Sequence, residues 1–400
     1  MNTVNYEDCY YTAMRQVMKI SRKKLDDLLR SGVYRSHRDF ADRSLIEDNA
    51  ESAATCDAKA FGYEFGKRKD DISRQCDIYI EKALKEGIFT ISREDPDYPY
   101  NWRCVRGMPD VVFAKGVRGM FSRCDSCGCV SIVGSREASR YAVYAAEKFA
   151  DKLSSENVVI ASGMAAGTDR AAHEASVDNR GGTIAFLAGG VDDIYPESNR
   201  DIYEKIAGRG LIVSEMPPGT RAVRQYFPSR NRLIAGIGDV CLIMQAGATS
   251  GTLHTASFAA GQGKDVFVLP NNIFSEDCRG SNLLLADGAV PLVNSSMVED
   301  AVITALMNRK VKDIGTCGLM PKPRPSASDL RRKAESEPDR MSDNDWKTVI
   351  IDELKLKPRS MDELCALFGL SLSLATRLMI TLESESKVTV SDGKYILTIV

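Results

Sequence analysis

The densest group of residues that could bind a charged ligand lies in RAVRQYFPSRNRLIAG, residues 221–236. Its four arginines are Arg221, Arg224, Arg230 and Arg232. No acidic residue occurs between Glu215 and Asp239, and Tyr226 and Phe227 are interleaved with the arginines. Guanidinium groups pair with phosphates and aromatic rings stack on bases, so this combination is typical of a site for single-stranded nucleic acid. A solvated basic loop, with Phe227 inserted in the core, explains the same residues equally well at this point.

Three short turns of small residues offer a second kind of anion contact. Each joins an apolar stretch to a helix-period stretch, and the turns are Gly134-Ser135-Arg136, Ser162-Gly163 and Ser250-Gly251-Thr252. Small residues let backbone N–H groups at a helix N-terminus approach a phosphate closely, and the arginine of the first turn adds a permanently charged, forked donor. Asp169, soon after the second turn, is placed to cap a helix or to tether a neighbouring arginine. We therefore predict a phosphate-binding rim built from these turns.

Alternating strand and helix patterns must position this rim. Between residues 130 and 173 an apolar run, a helix-period segment, a second apolar run and another helix give the βαβ order of a parallel sheet. Further strands are predicted to end at Leu187, Ser214, Gln245 and Leu269. The pattern predicts an α/β fold with a doubly wound sheet of six or more strands. The turns then fall at the carboxyl edge of the strands, where open α/β sheets bind ligands.

Three regions flank this core, which we assign to residues 88–307. Residues 1–87 are predicted to form a helical module. Residues 308–345, rich in proline, serine and charge, are predicted to be a disordered linker. Residues 346–400 show three helix-period segments and a hairpin turning at Asp392-Gly393, which predicts a winged helix. Its third helix carries a single base, Arg377, so docking to a protein and reading of DNA both stay open.

Composition sets broad limits. The 400 residues are 44% hydrophobic and 27% charged with a formal net charge of −2, which indicates a soluble protein of two or three domains without the bulk positive charge that coats nucleic acid. A local basic groove remains compatible with that charge. No apolar run approaches the roughly 20 residues that cross a bilayer, and the N-terminus lacks a signal-peptide pattern, so we expect a cytoplasmic protein without membrane association. The eleven scattered cysteines are expected to be reduced.

Residues that could catalyse a reaction or bind a metal are sparse. Cys124, Cys127 and Cys129 form a CxxCxC cluster, but no neighbouring ligand completes a tetrahedral zinc site, so a reduced, irregular connector is the favoured interpretation. His173 and His254 fall in predicted helices without a nucleophile partner, which favours structural roles. The first strand ends without GxGxxG, and GxxxxGK[ST] occurs nowhere. We therefore predict no catalytic residue, no metal and no cofactor.

A series of motifs resembles the DprA (Smf) family of DNA-processing proteins in order and spacing. The motifs are IVGSR (132–136), SGMAAGTDRAAH (162–173), YP (195–196), SE (214–215), FPSRNRLIAG (227–236), SGTLHTA (250–256), LP (269–270), RGSN (279–282) and DGAV (287–290). The similarity covers about residues 88–293. The linker and winged-helix tail are similar to those of the family's longer members.

This resemblance implies an extended Rossmann-like core, SAM-like helices before it, homodimerisation and sequence-independent binding of single-stranded DNA. It also implies a recombination mediator that protects the incoming strand during natural transformation and loads RecA onto it. The family's DNA contacts carry over to Arg136, Arg230 and Arg232, and further to Arg224, with Phe227 as the stacking ring. The complete predicted DNA-binding set is Gly134, Ser135, Arg136, Ser162, Gly163, Arg224, Phe227, Arg230, Asn231, Arg232, Ser250, Gly251 and Thr252.

The sequence departs from the family pattern at several points. Where relatives usually read SGxARGID, this chain has Ala166 and Thr168, so one expected guanidinium is absent. Glu197 follows Tyr-Pro where many relatives have a base. Gln245 replaces the usual Glu before the third turn, and Asn271 replaces the usual Gly after the last strand. These departures bear on the path of the DNA and leave the predicted fold unchanged.

Two alternatives belong to other functional classes. A nucleotide phosphoribohydrolase-like enzyme shares such a core, but that chemistry needs a Glu after a PGGxGT turn, and the corresponding ATSGTLHTA has His254 and Thr255 there. A pure adaptor acting through residues 346–400 would bind no DNA with its core. We take the single-stranded DNA-binding mediator as the leading hypothesis.

Overall fold

The structure is a computed structural model that describes residues 3–21, 24, 25, 28, 36–41, 46, 56–105, 107–313, 343–384, 387–391 and 393–397. The chain divides into two compact units, Met1–Gly315 and Thr316–Val400. Most of the predicted linker lies outside the described residues, as does Asp392 of the predicted hairpin turn. The same holds for most of residues 20–32, ISRKKLDDLLRSG, the clearest amphipathic stretch of the predicted helical module. The domain boundaries proposed from the sequence stay predictions.

A nine-stranded sheet forms the centre of the first unit. Its strands are β1 (Phe89–Ser92), β2 (Val111–Gly116), β3 (Cys129–Val133), β4 (Val159–Ser162), β5 (Thr183–Phe186), β6 (Leu211–Ser214), β7 (Val240–Ile243), β8 (Asp265–Val268) and β9 (Val290–Pro291). Their spatial order is β1-β2-β6-β5-β4-β3-β7-β8-β9. The ladders from β6 to β9 are parallel, whereas β2 pairs antiparallel with both β1 and β6. The predicted α/β, doubly wound, Rossmann-like core is confirmed.

The strand order reverses between β3 and β7. The chain adds β4, β5 and β6 on one side of β3 and then β7 and β8 on the other side. Connections leave the carboxyl ends of β3 and β7 in opposite directions, and this divergence opens a crevice at that edge of the sheet. The turn Gly134-Ser135-Arg136 directly follows β3 and therefore lies at this crevice.

Helices cover both faces of the sheet. In chain order they are α1 (Tyr6–Val17), α2 (Cys56–Glu86), α3 (Tyr100–Arg103), α4 (Met120–Cys127), α5 (Arg140–Ser155), α6 (Thr168–Ser176), α7 (Arg200–Arg209), α8 (Tyr226–Ile237), α9 (Thr252–Gly261), α10 (Arg279–Ala286) and α11 (Ser295–Asp313). Successive strand residues face opposite sides, so Val130 and Ile132 pack with α5, α6 and α11, whereas Cys129 and Val133 pack with α3, α4, α8 and α9. Both faces of the central strands are buried, as their continuous apolar runs predict.

Two helices differ from expectation. The last helix of the first unit runs from Ser295 to Asp313, so it continues past residue 307, the predicted end of the core, into the predicted linker. The segment 221–236, for which a solvated basic loop was one of two interpretations, is helical from Tyr226 onward. Pro228 fits the first turn of that helix because N–H groups there need no intrahelical partner, and Leu233 and Ile234 supply a buried face.

The cysteine cluster is regular, not an irregular connector. Cys124 and Cys127 lie in α4, and Cys129 begins β3. Burial raises the pKa of the Cys124 thiol well above its ordinary value, so the group stays protonated. The Cys127 sulfur accepts a hydrogen bond from Asn157 Nδ2 at 3.1 Å. Within the described part of the chain, no group of three or more His, Cys, Asp or Glu side chains is arranged to hold a metal ion.

The N-terminal helices pack on the core through one apolar cluster that also includes residues of β2, β5, β6 and α7. A buried polar network accompanies this contact. His37, 2% exposed, bonds to Asp8 Oδ1 at 3.0 Å and to Glu94 at 2.9 Å, and Asp8 accepts from Thr90 Oγ1 of β1 at 2.8 Å. Burial alone would lower the pKa of His37, but the hydrogen bonds to Asp8 and Glu94 outweigh it and raise the pKa to about 9.

The second unit contains α12 (Asp343–Leu356), α13 (Met361–Phe368), α14 (Leu372–Ser384) and a hairpin of β10 (Val388–Ser391) and β11 (Lys394–Leu397). Trp346, Ile350, Leu364 and Leu378 are buried in its own core. Ser360 and Glu363 form a capping box at the start of α13. This order of elements is that of a winged helix, which stays a prediction.

Across the residues that the structure describes, no helix combines the length and apolarity needed to cross a lipid bilayer.

The network around His37 predicts a pH-dependent stability. The folded pKa of about 9 exceeds that of an unfolded histidine, so the stabilisation is complete below the unfolded pKa of about 6.5 and is lost as the pH rises through about 9. We expect the free energy of unfolding to fall by roughly 3 kcal/mol over that window, measured by urea unfolding at several pH values. His37→Gln should flatten the profile, and a wild-type profile already as flat as the variant's would contradict the network's role.

Candidate nucleic-acid interface

The turn Gly134-Ser135-Arg136 is held between the N-termini of two helices. The Thr168 hydroxyl, at the start of α6, donates to Ser135 O at 3.2 Å, and the Thr252 hydroxyl, at the start of α9, donates to Gly134 O at 3.1 Å. Both threonines are buried. The carbonyl groups of Gly134 and Ser135 are thus occupied, which holds the backbone of the turn at the crevice.

Close backbone approach explains the glycines around this turn. A Cβ atom at Gly134 would lie 2.6 Å from the Thr168 hydroxyl oxygen. A Cβ atom at Gly167, whose φ is +73°, would lie 2.6 Å from both Ser135 O and Arg136 O. These distances are too short for any side chain, so glycine is required for the N-terminus of α6 to contact the turn.

The crevice at the carboxyl ends of β3 and β7 has a volume of about 400 Å³. Its walls include the first turn after β3, Thr249-Ser250-Gly251-Thr252 and the start of α8. The N-terminus of α9 opens directly into it, and that of α6 lies behind the clamped turn. The first N–H groups of α9 bond within its own turn, those of Thr252 and Leu253 to Ser250 and that of His254 to Gly251 O, so this helix end offers an anion its partial positive charge.

Arg136 and Phe227 form the mouth of the crevice. The Arg136 side chain is exposed, and its guanidinium carbon lies 4.8 Å from the centroid of the Phe227 ring. On the other side of this pair is a second, smaller cavity of about 110 Å³ that Tyr195 also lines. The Tyr195 and Phe227 ring centroids are 5.7 Å apart and the rings are edge-to-face. The mouth therefore presents a cation and two aromatic rings within reach of one ligand.

Arg230 lies beneath this pair and is 6% exposed. Its Nη1 donates to Phe186 O at 2.6 Å and to Gly163 O, so the guanidinium joins the ends of β4 and β5. Burial lowers the pKa of Arg230 to about 10, and the attraction of Asp169 opposes this effect. The side chain remains charged at neutral pH, and its carbon Cζ lies 5.6 Å from the Phe227 ring.

Asp169 supplies the compensating charge. Its Oδ2 accepts from the backbone N–H groups of Gly163 at 3.1 Å and Ala165 at 3.4 Å. Burial raises the pKa of Asp169, whereas Arg230 and the two amide groups act to lower it. Asp169 therefore attracts the Arg230 guanidinium electrostatically, as expected, and its carboxylate also accepts the backbone N–H groups of the turn before α6.

The other predicted arginines have different surroundings. Arg232 pairs with Glu215 in a partly buried salt bridge. Arg230 and Arg232 are two positions apart on α8 and so lie on well-separated faces of the helix. Arg221 and Arg224 precede the helix and are exposed. Only Arg136 among the predicted arginines lines the crevice with an exposed guanidinium, within the described residues.

The polar groups of the remaining predicted residues form hydrogen bonds within the walls of the crevice. The Ser162 hydroxyl is buried and donates to Ile132 O at 2.6 Å, which joins β4 to β3. Asn231 Oδ1 accepts from Arg230 Nε at 3.1 Å, and its Nδ2 donates to Gly251 O at 3.3 Å. The Ser250 hydroxyl accepts from Thr252 N at 3.2 Å.

Three departures from the family pattern have structural explanations. Gln245 Oε1 accepts from Ser139 N at 2.8 Å, so it fixes the start of α5. Asn271 Nδ2 donates to Met244 O at 2.9 Å and to Leu269 O at 2.8 Å, which joins the ends of β7 and β8. Ala166 lines the smaller cavity, where a longer side chain would reduce the space.

Sequence reasoning did not identify the roles of Thr168 and Tyr195. For the glycine-rich loop 189–196 the acidic residues disfavour phosphate contact, so the sequence favours a packing role. The loop carboxylates fix the segment that leads into α8: Asp192 accepts from Gly219 N at 2.8 Å, and Asp193 accepts from Ala222 N at 2.7 Å. The packing interpretation of this loop agrees with these contacts. A Tyr-Pro step close behind a glycine-rich turn is a signal that could have pointed to an aromatic ring at the edge.

The two helical histidines lie in different surroundings. His173 is fully buried with Nδ1 2.7 Å from Thr183 Oγ1, and burial, with a smaller contribution from Arg230, lowers its pKa to about 3. His254 is exposed at the crevice, next to the buried Thr255. The acid that the hydrolase alternative needs is therefore not supplied by either residue.

The fold and the crevice define the class of this protein. It is an α/β, Rossmann-like protein with a crevice where the strand order reverses between β3 and β7. Residues 89–302 match the family model described as DNA recombination-mediator protein A. The chain belongs to the DNA recombination-mediator protein A family. This confirms the resemblance inferred from the sequence motifs.

Individual relatives agree with this assignment. The DNA processing protein DprA of Bacillus subtilis is 34% identical over 205 residues, which cover 51% of this chain and 68% of that protein. DprA of Streptococcus pneumoniae is 35% identical over 213 residues, 53% of this chain and 73% of that protein. The X-ray structure of DprA from Streptococcus pneumoniae superposes with a TM-score of 0.60 at 26% identity, covering 74% of this chain and 98% of that chain.

The packing around Arg230 predicts that Gly163 tolerates no side chain. In Gly163→Ala the new Cβ would lie 2.6 Å from Arg230 Nη1 and 2.8 Å from Asp169 Oδ2. We expect a loss of about 1–3 kcal/mol in the free energy of unfolding, measured by urea denaturation, because neither charged group has space to move away. Gly251→Ala is the matched control, since no atom lies within 4 Å of its new Cβ. Equal stability of the two variants would show that Arg230 is loosely held.

Proposed function

We propose that this protein binds single-stranded DNA independently of sequence, as a recombination mediator, and that Arg136 stacked on Phe227 at the crevice mouth is the central contact. The observation that carries the proposal is this cation and ring, held 4.8 Å apart at an edge where helix N-termini converge. Family membership agrees with it. The guanidinium of Arg136 suits the phosphate of a nucleotide, and the ring of Phe227 suits its base.

Phosphate binding rests on Arg136 and on the partial positive charge of a helix N-terminus. A phosphate in the crevice would meet the N-terminus of α9 on one side and the guanidinium on the other. The hydroxyl groups of Thr168 and Thr252 are already donated to the turn, so they order the site without contacting the ligand directly. Contacts of this kind read the backbone alone, which accounts for binding without sequence preference.

Base binding rests on Phe227, with Tyr195 beside it. Every base has a π-face, so stacking tolerates any sequence and contributes roughly 1–3 kcal/mol per base. A duplex keeps its bases stacked on each other, so the rings favour a single strand. Arg224, exposed just before α8, is placed to contact a further phosphate.

Arg230 and Arg232 take a supporting role in this proposal. Both belong to the predicted DNA-binding set, but one donates to Phe186 O and Gly163 O, and the other pairs with Glu215. Breaking a buried charge from its partners costs several kcal/mol, so a phosphate in the crevice does not displace them. We assign Arg230 to holding Phe227 and the turn after β4 in place.

The wider role that we propose follows the family. The protein protects incoming single strands in the cytoplasm during natural transformation and loads RecA onto them. We propose no catalytic activity and no cofactor, because His254 and Thr255 stand where a related nucleotide hydrolase needs a carboxylate. Release of free base from AMP-like nucleotides by the purified protein would revive the hydrolase alternative.

We also propose a homodimer, and the structure offers a surface for it. Ile273 and Phe274, in the loop after β8, are 75% and 89% exposed, and Leu283 on α10 is 54% exposed. Asn282 Nδ2 donates to Asn272 O at 3.3 Å, so the loop and the helix are adjacent. Contiguous exposed apolar side chains of this size are typical of protein interfaces.

Replacing Arg136 tests the central contact. Arg136→Ala should weaken binding of a single-stranded oligonucleotide by about tenfold and reduce the slope of log K against log salt by about 0.7, the share of one phosphate. Fluorescence anisotropy at several salt concentrations measures both quantities. Arg279→Ala, at an exposed arginine paired with Glu276, is the control and should bind like wild type. Unchanged affinity in Arg136→Ala would refute the proposal.

Phe274→Arg tests the dimer surface. We expect sedimentation of this variant as a monomer at concentrations where the wild type is dimeric, because a buried, unpaired guanidinium opposes association. Phe258→Arg, at an exposed phenylalanine on α9, is the control. A dimer of unchanged strength in Phe274→Arg would place the interface elsewhere.

A further inference from the structure

Helix α5 carries an exposed aromatic stripe that the crevice does not use. Tyr141, Tyr144 and Lys148 stand at positions i, i+3 and i+7, which share one helical face. The tyrosines are 54% and 58% exposed. Lys148 Nζ lies 5.4 Å from the centroid of the Tyr144 ring, so a cation and two rings are grouped here as well. We call these three residues the α5 stripe.

The α5 stripe begins a few residues beyond the crevice along the chain. Arg136 and Glu137 both line the crevice, and α5 begins at Arg140 only a few residues later. Gln245 Oε1 accepts from Ser139 N at 2.8 Å and thereby fixes the first turn of α5 above the end of β7. A DNA strand that leaves the crevice past Arg136 therefore meets the first turn of α5, which contains Tyr141.

We propose that the α5 stripe is a second stacking segment for the same single strand of DNA. This inference rests on the proposed function, since it extends the footprint of a strand already held in the crevice. From Tyr141 to Lys148 the helix rises about 10 Å, which corresponds to about three stacked nucleotides at 3.4 Å each. The two rings receive bases, and Lys148 pairs with one phosphate.

The charges beside the α5 stripe favour stacking over backbone contact. Glu147 and Asp151 border the stripe on the side of α6, where they line an open hollow with Lys148 and Glu174. Carboxylates repel phosphates, so the DNA strand is confined to the face of α5 that carries Tyr141 and Tyr144. The affinity gained from the α5 stripe should consequently depend less on salt than the affinity of the crevice.

Oligonucleotide length separates the two segments. Oligo(dT) of about 6 nucleotides fills the crevice alone, whereas about 18 nucleotides reach the α5 stripe as well. In the full chain, Tyr141→Ala/Tyr144→Ala should bind the short probe like wild type and lose about fivefold in affinity per ring for the long probe, measured by fluorescence anisotropy. Tyr141→Phe/Tyr144→Phe keeps the rings and should restore the long-probe affinity.

Controls and contrary results are distinct. Tyr63→Ala, at a 66% exposed tyrosine on α2, should bind both probes like wild type, and thermal unfolding checks that every variant is folded. Long-probe binding that is unaffected in the double alanine variant overturns the α5 stripe proposal. Intact binding of both probes with loss of RecA-dependent strand exchange also overturns it, and assigns the stripe to a protein partner. If wild type fails to bind even the short probe, the proposed function itself fails.

Discussion

A charge that is almost completely buried organises the candidate interface. The guanidinium of Arg230 is buried beneath the crevice and must be satisfied by protein acceptors, because an unpaired buried cation costs several kcal/mol. It takes carbonyl oxygens at the ends of β4 and β5 while it projects from α8, so three elements are fixed relative to one another. Asp169 supplies the opposing charge through the adjoining turn.

The mouth of the crevice depends on this arrangement. Phe227 is held near Arg230 on α8, and Arg136 approaches the same ring from a turn that two threonine hydroxyls hold. Flexible groups would lose conformational freedom on binding a strand, whereas groups that are already ordered lose little. The proposed site would therefore bind a polyanion in a protein whose net charge is only −2. Its attraction comes from a few positioned donors and helix ends, not from bulk charge.

The acidic residues near the interface are equally informative. Asp192 and Asp193 could be expected to repel DNA, but both accept from backbone N–H groups of the segment before α8. Glu215 likewise pairs with Arg232. Counting charges along the sequence therefore overestimates both the basic and the acidic character of the crevice, because the tertiary structure pairs much of each.

Local patterns predicted most of the α/β core. The bounds of α9 follow from the small residues before Thr252 and the glycine at Gly261, and the alternation of apolar runs with helix-period segments predicted the parallel sheet. Helix α8 was missed, because two aromatic residues, a proline and four polar residues hide the short apolar face that ends the segment. Its amphipathic character is weak, so only packing against the sheet reveals it as a helix.

By itself the sequence determined the class of fold, the carboxyl-edge position of the glycine turns and the family. Each of these can be inferred from residue types at fixed spacings along the chain. The tertiary structure decided which guanidinium groups face solvent. Arg230 and Arg232 look alike in FPSRNR, but a helix directs residues two apart to well-separated sides, and their partners at Phe186, Gly163 and Glu215 come from distant strands and turns. Those long-range contacts form only when the sheet brings the ends of its strands together. The same folding step leaves Arg136 exposed at the crevice.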